Sequence, residues 1–211
     1  MNIVIRHEEE KDLYKVEKLA RESFYNLYFP GCEEHLVINK MRNHRDYIKN
    51  LSYILEIDGK IIGGIFYTKS RIIGKDNKII ETISFGPVFI KPGYQRQGFG
   101  KKLIEYSIKE AKKEGYRAIL TLGYPHHYKP YGFLGGKNYN VSMEDGKFYV
   151  GLLVLPLYED ALKNISGYAS FSDVFNISRE ELDEFDKKFP EKKKVVLESQ
   201  KEFEIACSMT E

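Results

Sequence analysis

Residues 91–111 read KPGYQRQGFGKKLIEYSIKEA, in which Gly93, Gly98, Gly100, Arg96 and two glutamines lead straight into a helical pattern. The stretch before it, IIETISFGPVFI over residues 79–90, is apolar and reads as a strand. A helix start carries four backbone N–H groups without internal partners, together with the positive end of the helix dipole. Glycine there lets an anion approach the backbone, so a strand, a glycine-rich turn and a helix in succession make a phosphate site. Spacing narrows the ligand. A nucleotide P-loop needs a glycine five residues before Gly100, where Gln95 stands, and a hydroxyl residue where Lys102 stands. A dinucleotide fingerprint needs glycine at Leu103. Neither pattern fits.

Working outward, residues 2–6 predict a first strand. Leu13, Val16, Leu19, Ala20, Phe24 and Leu27 recur at helical spacing until Pro30-Gly31. A second helix is predicted over about 33–49, with Leu36, Val37, Met41, Tyr47 and Ile48 apolar. The period then changes to that of strands, with a hairpin turn at Asp58-Gly59. After the glycine turn a helix is predicted over 98–114, with Gly115 at its C-cap. RAILTLG reads as a buried strand, HHYKPYGF as a short helix or turn, and KFYVGLLVLPL as a closing strand. Beyond Leu157 the character shifts. Ser178 and Glu181 form a capping box before a short helix that ends at Pro190, and residues 192–211 are charged and weakly patterned. The expectation is an α+β (mixed α/β) fold, with a domain over 1–157 and a C-terminal extension over 158–211.

The chain has 211 residues, enough for one core, with 42% apolar and 30% charged residues. Its 33 basic and 31 acidic side chains leave a formal charge of +2, so no concentrated basic face argues for nucleic acid. The pattern predicts neither a secretory leader nor a membrane span, and two cysteines, Cys32 and Cys207, are expected to be free thiols of a cytoplasmic protein. They complete no zinc pattern with the histidines, so no metal is expected.

Gln95, Gly98 and Gly100 do fit Q-x-x-G-x-G. This resembles the pyrophosphate-binding motif of the GNAT N-acetyltransferase family, in the same context: after an apolar fourth strand, before a fifth (AILTLG), with HYKPYGF like the family's x-Y-x-x-x-G-F element at Tyr128, Gly132 and Phe133. GYPHHYKPYGF looks most like a bacterial subgroup carrying G-x-P-x-Y-Y-x-x-x-G-F, and the resemblance covers about residues 3–157.

The resemblance implies a GNAT fold, a mostly antiparallel mixed sheet flanked by helices, and acetyl-CoA as cosubstrate. It implies that the amides of Gln95, Arg96, Gln97, Gly98, Phe99, Gly100 and Lys101 wrap the pyrophosphate. Val88, Phe89 and Ile90 would flank the pantetheine where the fourth strand bulges and splays from the fifth, a break that Gly86-Pro87 tolerates. An N–H near Val88 would polarise the thioester carbonyl. Tyr128 takes the role of proton donor to the leaving thiolate. For the base the family's usual strand position carries Ser84, which leaves Glu81 or an ordered water, with His126 and His127 as titrating neighbours. The acceptor pocket falls on FYNLYFPGCEEHL: Tyr25, Tyr28, Phe29 and Glu33, with Glu34 and His35 beside them. Aromatics with carboxylates suit a cationic amine; a solvated acidic turn is the plainer reading. The implied reaction is direct acetyl transfer to the primary amine of a small-molecule or peptide acceptor. The alternatives are a CoA-binding sensor without turnover, or transfer of a longer acyl group. The extension would cover the acceptor cleft, make a homodimer contact, or bind a second partner.

Overall fold

The computed structural model describes residues 1–75 and 77–211. Among the described residues nine strands form one sheet: β1 (Ile3–Arg6), β2 (Tyr53–Ile57), β3 (Lys60–Gly74), β4 (Ile79–Ile90), β5 (Ala118–Leu122), β6 (Leu134–Gly135), β7 (Val141–Ser142), β8 (Leu152–Pro156) and β9 (Gly167–Ser170). The order β1-β2-β3-β4-β5-β8-β6 is antiparallel except at β4–β5, and β9 runs parallel to β7. β3 is long enough to have two neighbours on one edge: its first half pairs β2 and its second half pairs β9. The β2–β3 hairpin turns at Asp58 and Gly59, both with positive φ (48° and 76°), as a two-residue turn of matching twist requires.

Alternation along the strands divides the core between two faces. Ile65 and Tyr67 face α3 (Phe99–Lys113), where Leu103, Ile108 and Ala111 are buried. Phe66 faces α1 (Leu13–Phe24) and α2 (Glu34–Met41), where Val16, Ile38 and Met41 pack. This is the expected mixed fold, with helices on both faces of a mostly antiparallel sheet.

Three elements depart from the periodicity, each because a distant segment claims the backbone. α2 ends at Met41 rather than near Lys49, since the Ile48 amide donates to Tyr67 O (2.9 Å) and Tyr47 bridges Thr68. β8 begins at Leu152 rather than Lys147, because the chain before it bonds the C-terminal tail. There Val150 N donates to Met209 O and Glu211 N to Phe148 O, each at 2.9 Å. The weakly patterned tail holds a helix, α6 (Glu198–Ser208).

The segment beyond residue 157 packs against the rest of the chain. β9 hydrogen-bonds β3 within the sheet. α5 (Arg179–Asp186), capped by Ser178 and Glu181 as expected, docks on α1 and α2. At that seam Arg21 grips Asp186 with two bonds (Nε–Oδ1 2.6 Å, Nη2–Oδ2 2.9 Å), and Phe185 and Phe189 pack on buried His35. The chain then follows the α1–α2 loop. Tyr25 Oη donates to Lys192 O (2.5 Å), Asn26 Nδ2 to Lys193 O (3.0 Å), and Gln200 Nε2 to Asn26 O (2.9 Å). Among the described residues no helix is long and apolar enough to cross a membrane.

Candidate active site

The glycine turn folds as its composition requires. Gly93, Arg96 and Gly98 all take positive φ (89°, 59° and 84°), and Gly98 is the N-cap of α3. The first helical bond runs from Lys102 N to Gly98 O (3.1 Å), which leaves the amides of Phe99, Gly100 and Lys101 without a carbonyl inside the helix. The turn is braced by its glutamines, Gln95 Nε2 donating to Ile90 O (3.0 Å) and Gln97 Nε2 to Gly93 O (2.9 Å). A Cβ added to Gly98 meets nothing within 4 Å, so the approach to these amides is open.

β4 and β5 pair only at Ile83–Ile119 and Ser84–Leu120, then separate. On the other edge of β4, Phe85 opposes Tyr67 and Val88 opposes Ile65, so Gly86 and Pro87 together oppose Phe66. That extra residue is the expected bulge, and Pro87 has no N–H to lose from the ladder. Beyond the split a cavity of about 510 Å³ opens. Val88, Phe89 and Ile90 line it from β4, and Gln95, Arg96, Gly98, Gly100 and Lys101 from the turn. The Phe99 ring is buried in the core and the Gln97 side chain is bound back to Gly93. For both, the backbone alone is left to serve the turn.

Tyr128 reaches the same cavity from the end of α4 (Pro125–Tyr128), with its ring centroid 5.5 Å from Phe85 and 5.7 Å from Phe133. The ring lies against Gly123, where any Cβ would come within 2.6 Å of it. Burial pushes the Tyr128 hydroxyl well above its ordinary pKa, so it holds its proton at neutral pH. His127, also on the cavity wall, is lowered by burial and by the neighbouring His126 and Arg96, which keeps the imidazole neutral there.

The expected acceptor residues do not converge on one place. Tyr28 lines the cavity with Tyr128, and its ring stacks on Phe203 of α6 at 4.2 Å. Phe29 and Glu33 line a different cleft, against α5. Tyr25 is held by the Lys192 carbonyl, between Arg21 and the Lys192 ammonium. Glu34 acts on Tyr28 without lining the cavity itself. Its carboxylate accepts from Glu33 N (3.1 Å), burial pushes its pKa up to about 7, and its charge raises the Tyr28 hydroxyl.

Glu81 is removed from this centre. It pairs opposite Arg71 near the start of β4 and lines a separate cleft with Arg117 and Asn164. The bulge that would have turned it inward lies at Gly86-Pro87, beyond Ser84 rather than before it. One grouping among the described residues, His44, Asp46 and Asp173, brings metal-type donor atoms within 4.8 Å of one another. Its atoms already have protein partners: His44 Nε2 meets Asp173 (3.0 Å), and Asp46 accepts from Ser172 Oγ (2.9 Å). Sequence reading did not place Phe203 beside Tyr28; a lone phenylalanine in a charged tail carries no periodic signal.

Residues 13–133 match the model of the acetyltransferase (GNAT) family. The uncharacterized N-acetyltransferase YhbS of Escherichia coli K12 is 24% identical over 119 residues, 56% of this chain and 70% of its own. YjhQ, an uncharacterized N-acetyltransferase of the same organism, is 29% identical over 93 residues, 42% of this chain and half of its own. Among solved structures, E. coli YhbS in complex with CoA superposes with a TM-score of 0.73 at 21% identity, covering 84% of this chain and 93% of that one. A GNAT acetyltransferase from Brucella melitensis in complex with acetyl-CoA gives 0.67 at 20% identity, covering 82% and 98%. The match spans the glycine turn, the split strands and the Tyr128 element, and the chain belongs to the GNAT acetyltransferase family.

Proposed function

We propose that the protein transfers an acetyl group from acetyl-CoA to a primary amine, by direct attack within a ternary complex. The observation that carries this is the single cavity joining the free amides of the glycine turn, the parted strands β4 and β5, and Tyr128. It has a phosphate end and a proton-donor end, as a cosubstrate with a pyrophosphate and a distant thioester demands. The CoA and acetyl-CoA complexes of the two structural neighbours support the choice of cosubstrate.

The roles follow from the chemistry. The pyrophosphate rests on the amides of Phe99, Gly100 and Lys101, with Arg96 and Gln95 beside it, while pantetheine lies along Val88, Phe89 and Ile90. A backbone N–H near Val88 polarises the thioester carbonyl. The amine nitrogen attacks the carbonyl carbon, the C–S bond breaks, and Tyr128 gives its proton to the departing thiolate. The incoming ammonium, with a pKa of about 10 for a lysine-like group, must first lose a proton. We assign that proton to Glu34, directly or through water, because its charge acts on Tyr28, a wall of the cavity, and burial pushes its pKa up to about 7.

The test is thermal unfolding with saturating acetyl-CoA, against ATP and NAD. A ligand at about 100 times its Kd adds roughly 2.7 kcal/mol. At about 2–4 °C per kcal/mol for a chain of this size, the midpoint is expected to rise by about 5–10 °C with acetyl-CoA alone. No rise with acetyl-CoA, or an equal one with ATP, would remove the reading.

A further inference from the structure

A cavity of about 650 Å³ lies beneath α6. Leu122 and Tyr124 line it from the end of β5, Met143 and Val150 from the loop before β8, and Phe203 and Ala206 from α6. It adjoins the cofactor cavity. Phe203 stacks on Tyr28 (4.2 Å) and stands edge-on to Tyr124 (6.2 Å), and Tyr28 is itself a wall of the cofactor cavity. Gly123, on the lining of the first cavity, is in contact with the Tyr128 ring. The charged residues on the lining, Glu144 and Asp145, are both acidic. Asp145 is held below the usual carboxylate range by Lys147 N and the Tyr149 hydroxyl, so it is ionised at neutral pH.

We infer that this cavity holds the body of the acceptor, a small primary amine carried on an aliphatic or aromatic group. The inference rests on the acetyl-transfer reading and names the substrate class for it. The nitrogen lies toward Tyr128 and the apolar body sits under α6. Apolar walls favour such a body by the surface it removes from water. A polyamine or a polyhydroxylated amine would leave polar groups unpaired against the same walls. The exposed Glu144 and Asp145 favour the approach of a cation, but Asp145 is already bound by Tyr149 Oη and paired with Lys147 Nζ (3.6 Å), so a second ammonium gains little there. A long acyl tail is the competing occupant, but it has no use for those carboxylates.

The experiment is saturation-transfer NMR on the full chain loaded with CoA, titrating butylamine, hexylamine, phenethylamine and putrescine. Hexylamine and phenethylamine are expected to bind, with Kd falling about four-fold per added methylene from butylamine to hexylamine. Putrescine is expected to bind at least ten-fold more weakly. Ala206→Phe, which fills the cavity from α6, should raise the phenethylamine Kd at least ten-fold while leaving the acetyl-CoA midpoint shift intact; Ala206→Leu serves should the larger side chain unfold the protein. Absence of amine binding, equal binding of putrescine, or indifference to both substitutions overturns the inference. So does tighter binding of octanoyl-CoA than acetyl-CoA that Ala206→Phe abolishes, since the cavity would then take the acyl tail. The midpoint shift of the parent chain reports on the transferase reading and the amine titration on the cavity, so the two fail separately.

Discussion

The wall proposed for the cofactor comes mostly from one run of chain, residues 88–131, with Ser23, Phe24, Leu27 and Tyr28 closing one side, whereas the wall proposed for the acceptor draws on the α1–α2 loop, the end of β5, the loop before β8 and α6. The first presents mainly backbone: a bulged strand, glycines at positive φ and the open amides of a helix start. The second presents side chains brought together across more than a hundred residues. Backbone recognition of a phosphate tolerates changes of side chain around it, while a side-chain pocket changes its ligand with each substitution. One fold can therefore keep its cosubstrate and vary its acceptor.

That contrast can be broken at the seam which holds the acceptor wall in place. Asp186→Ala removes the partner of buried Arg21 and neighbouring His35. Loss of one member of a buried pair at this depth should destabilise by about 3 kcal/mol, a fall in midpoint of roughly 6–12 °C. The acetyl-CoA shift should survive in what remains folded. An unchanged midpoint would mean that the C-terminal segment is not anchored there.

Next in size, Tyr128→Phe keeps the ring and removes the proton. Turnover should fall by about 100-fold with acetyl-CoA binding unaltered. A matching loss of binding would make the tyrosine a packing residue of the cofactor wall instead.

The smallest effect is expected at Glu34. With its pKa raised to about 7, wild-type turnover should climb with pH through that value, since the ionised carboxylate is the base. Glu34→Gln should flatten the limb and slow turnover by roughly ten-fold. Stability supplies an independent check with the opposite sign. A folded pKa above the unfolded value contributes stability at low pH that is lost as pH rises through about 7. The glutamine variant should lose this component of the pH dependence. A pH–rate limb that persists in the variant would return the base to water or to His127.

Local patterns carried the cofactor wall. Gln95, Gly98 and Gly100 at their spacing, the Gly86-Pro87 break, and Tyr128 in its short helix each express a nearest-neighbour constraint, such as an αL turn, a missing N–H or a helix start. Those constraints survive in a bare sequence because they involve residues a few positions apart. Glu81 shows the limit. Whether it faced the cleft depended on which side of Ser84 the bulge fell, a matter of register between β3 and β4. Glu33 and Glu34 differ by one position, and only the packing around α2 decides which carboxyl has its pKa moved to neutrality.

The sequence by itself determined the mixed sheet with helices on both faces, the glycine turn and the break at Gly86-Pro87, because hydrophobic period and turn chemistry act over a few residues. Tertiary structure alone decided that residues 158–211 join the sheet through β9, that Arg21 and Asp186 clamp α5 to α1, and that Phe203 closes over Tyr28. Those are contacts between segments far apart in the chain. Their energy comes from burial and pairing that appear only once both partners are folded, so no local pattern in the charged tail announces them.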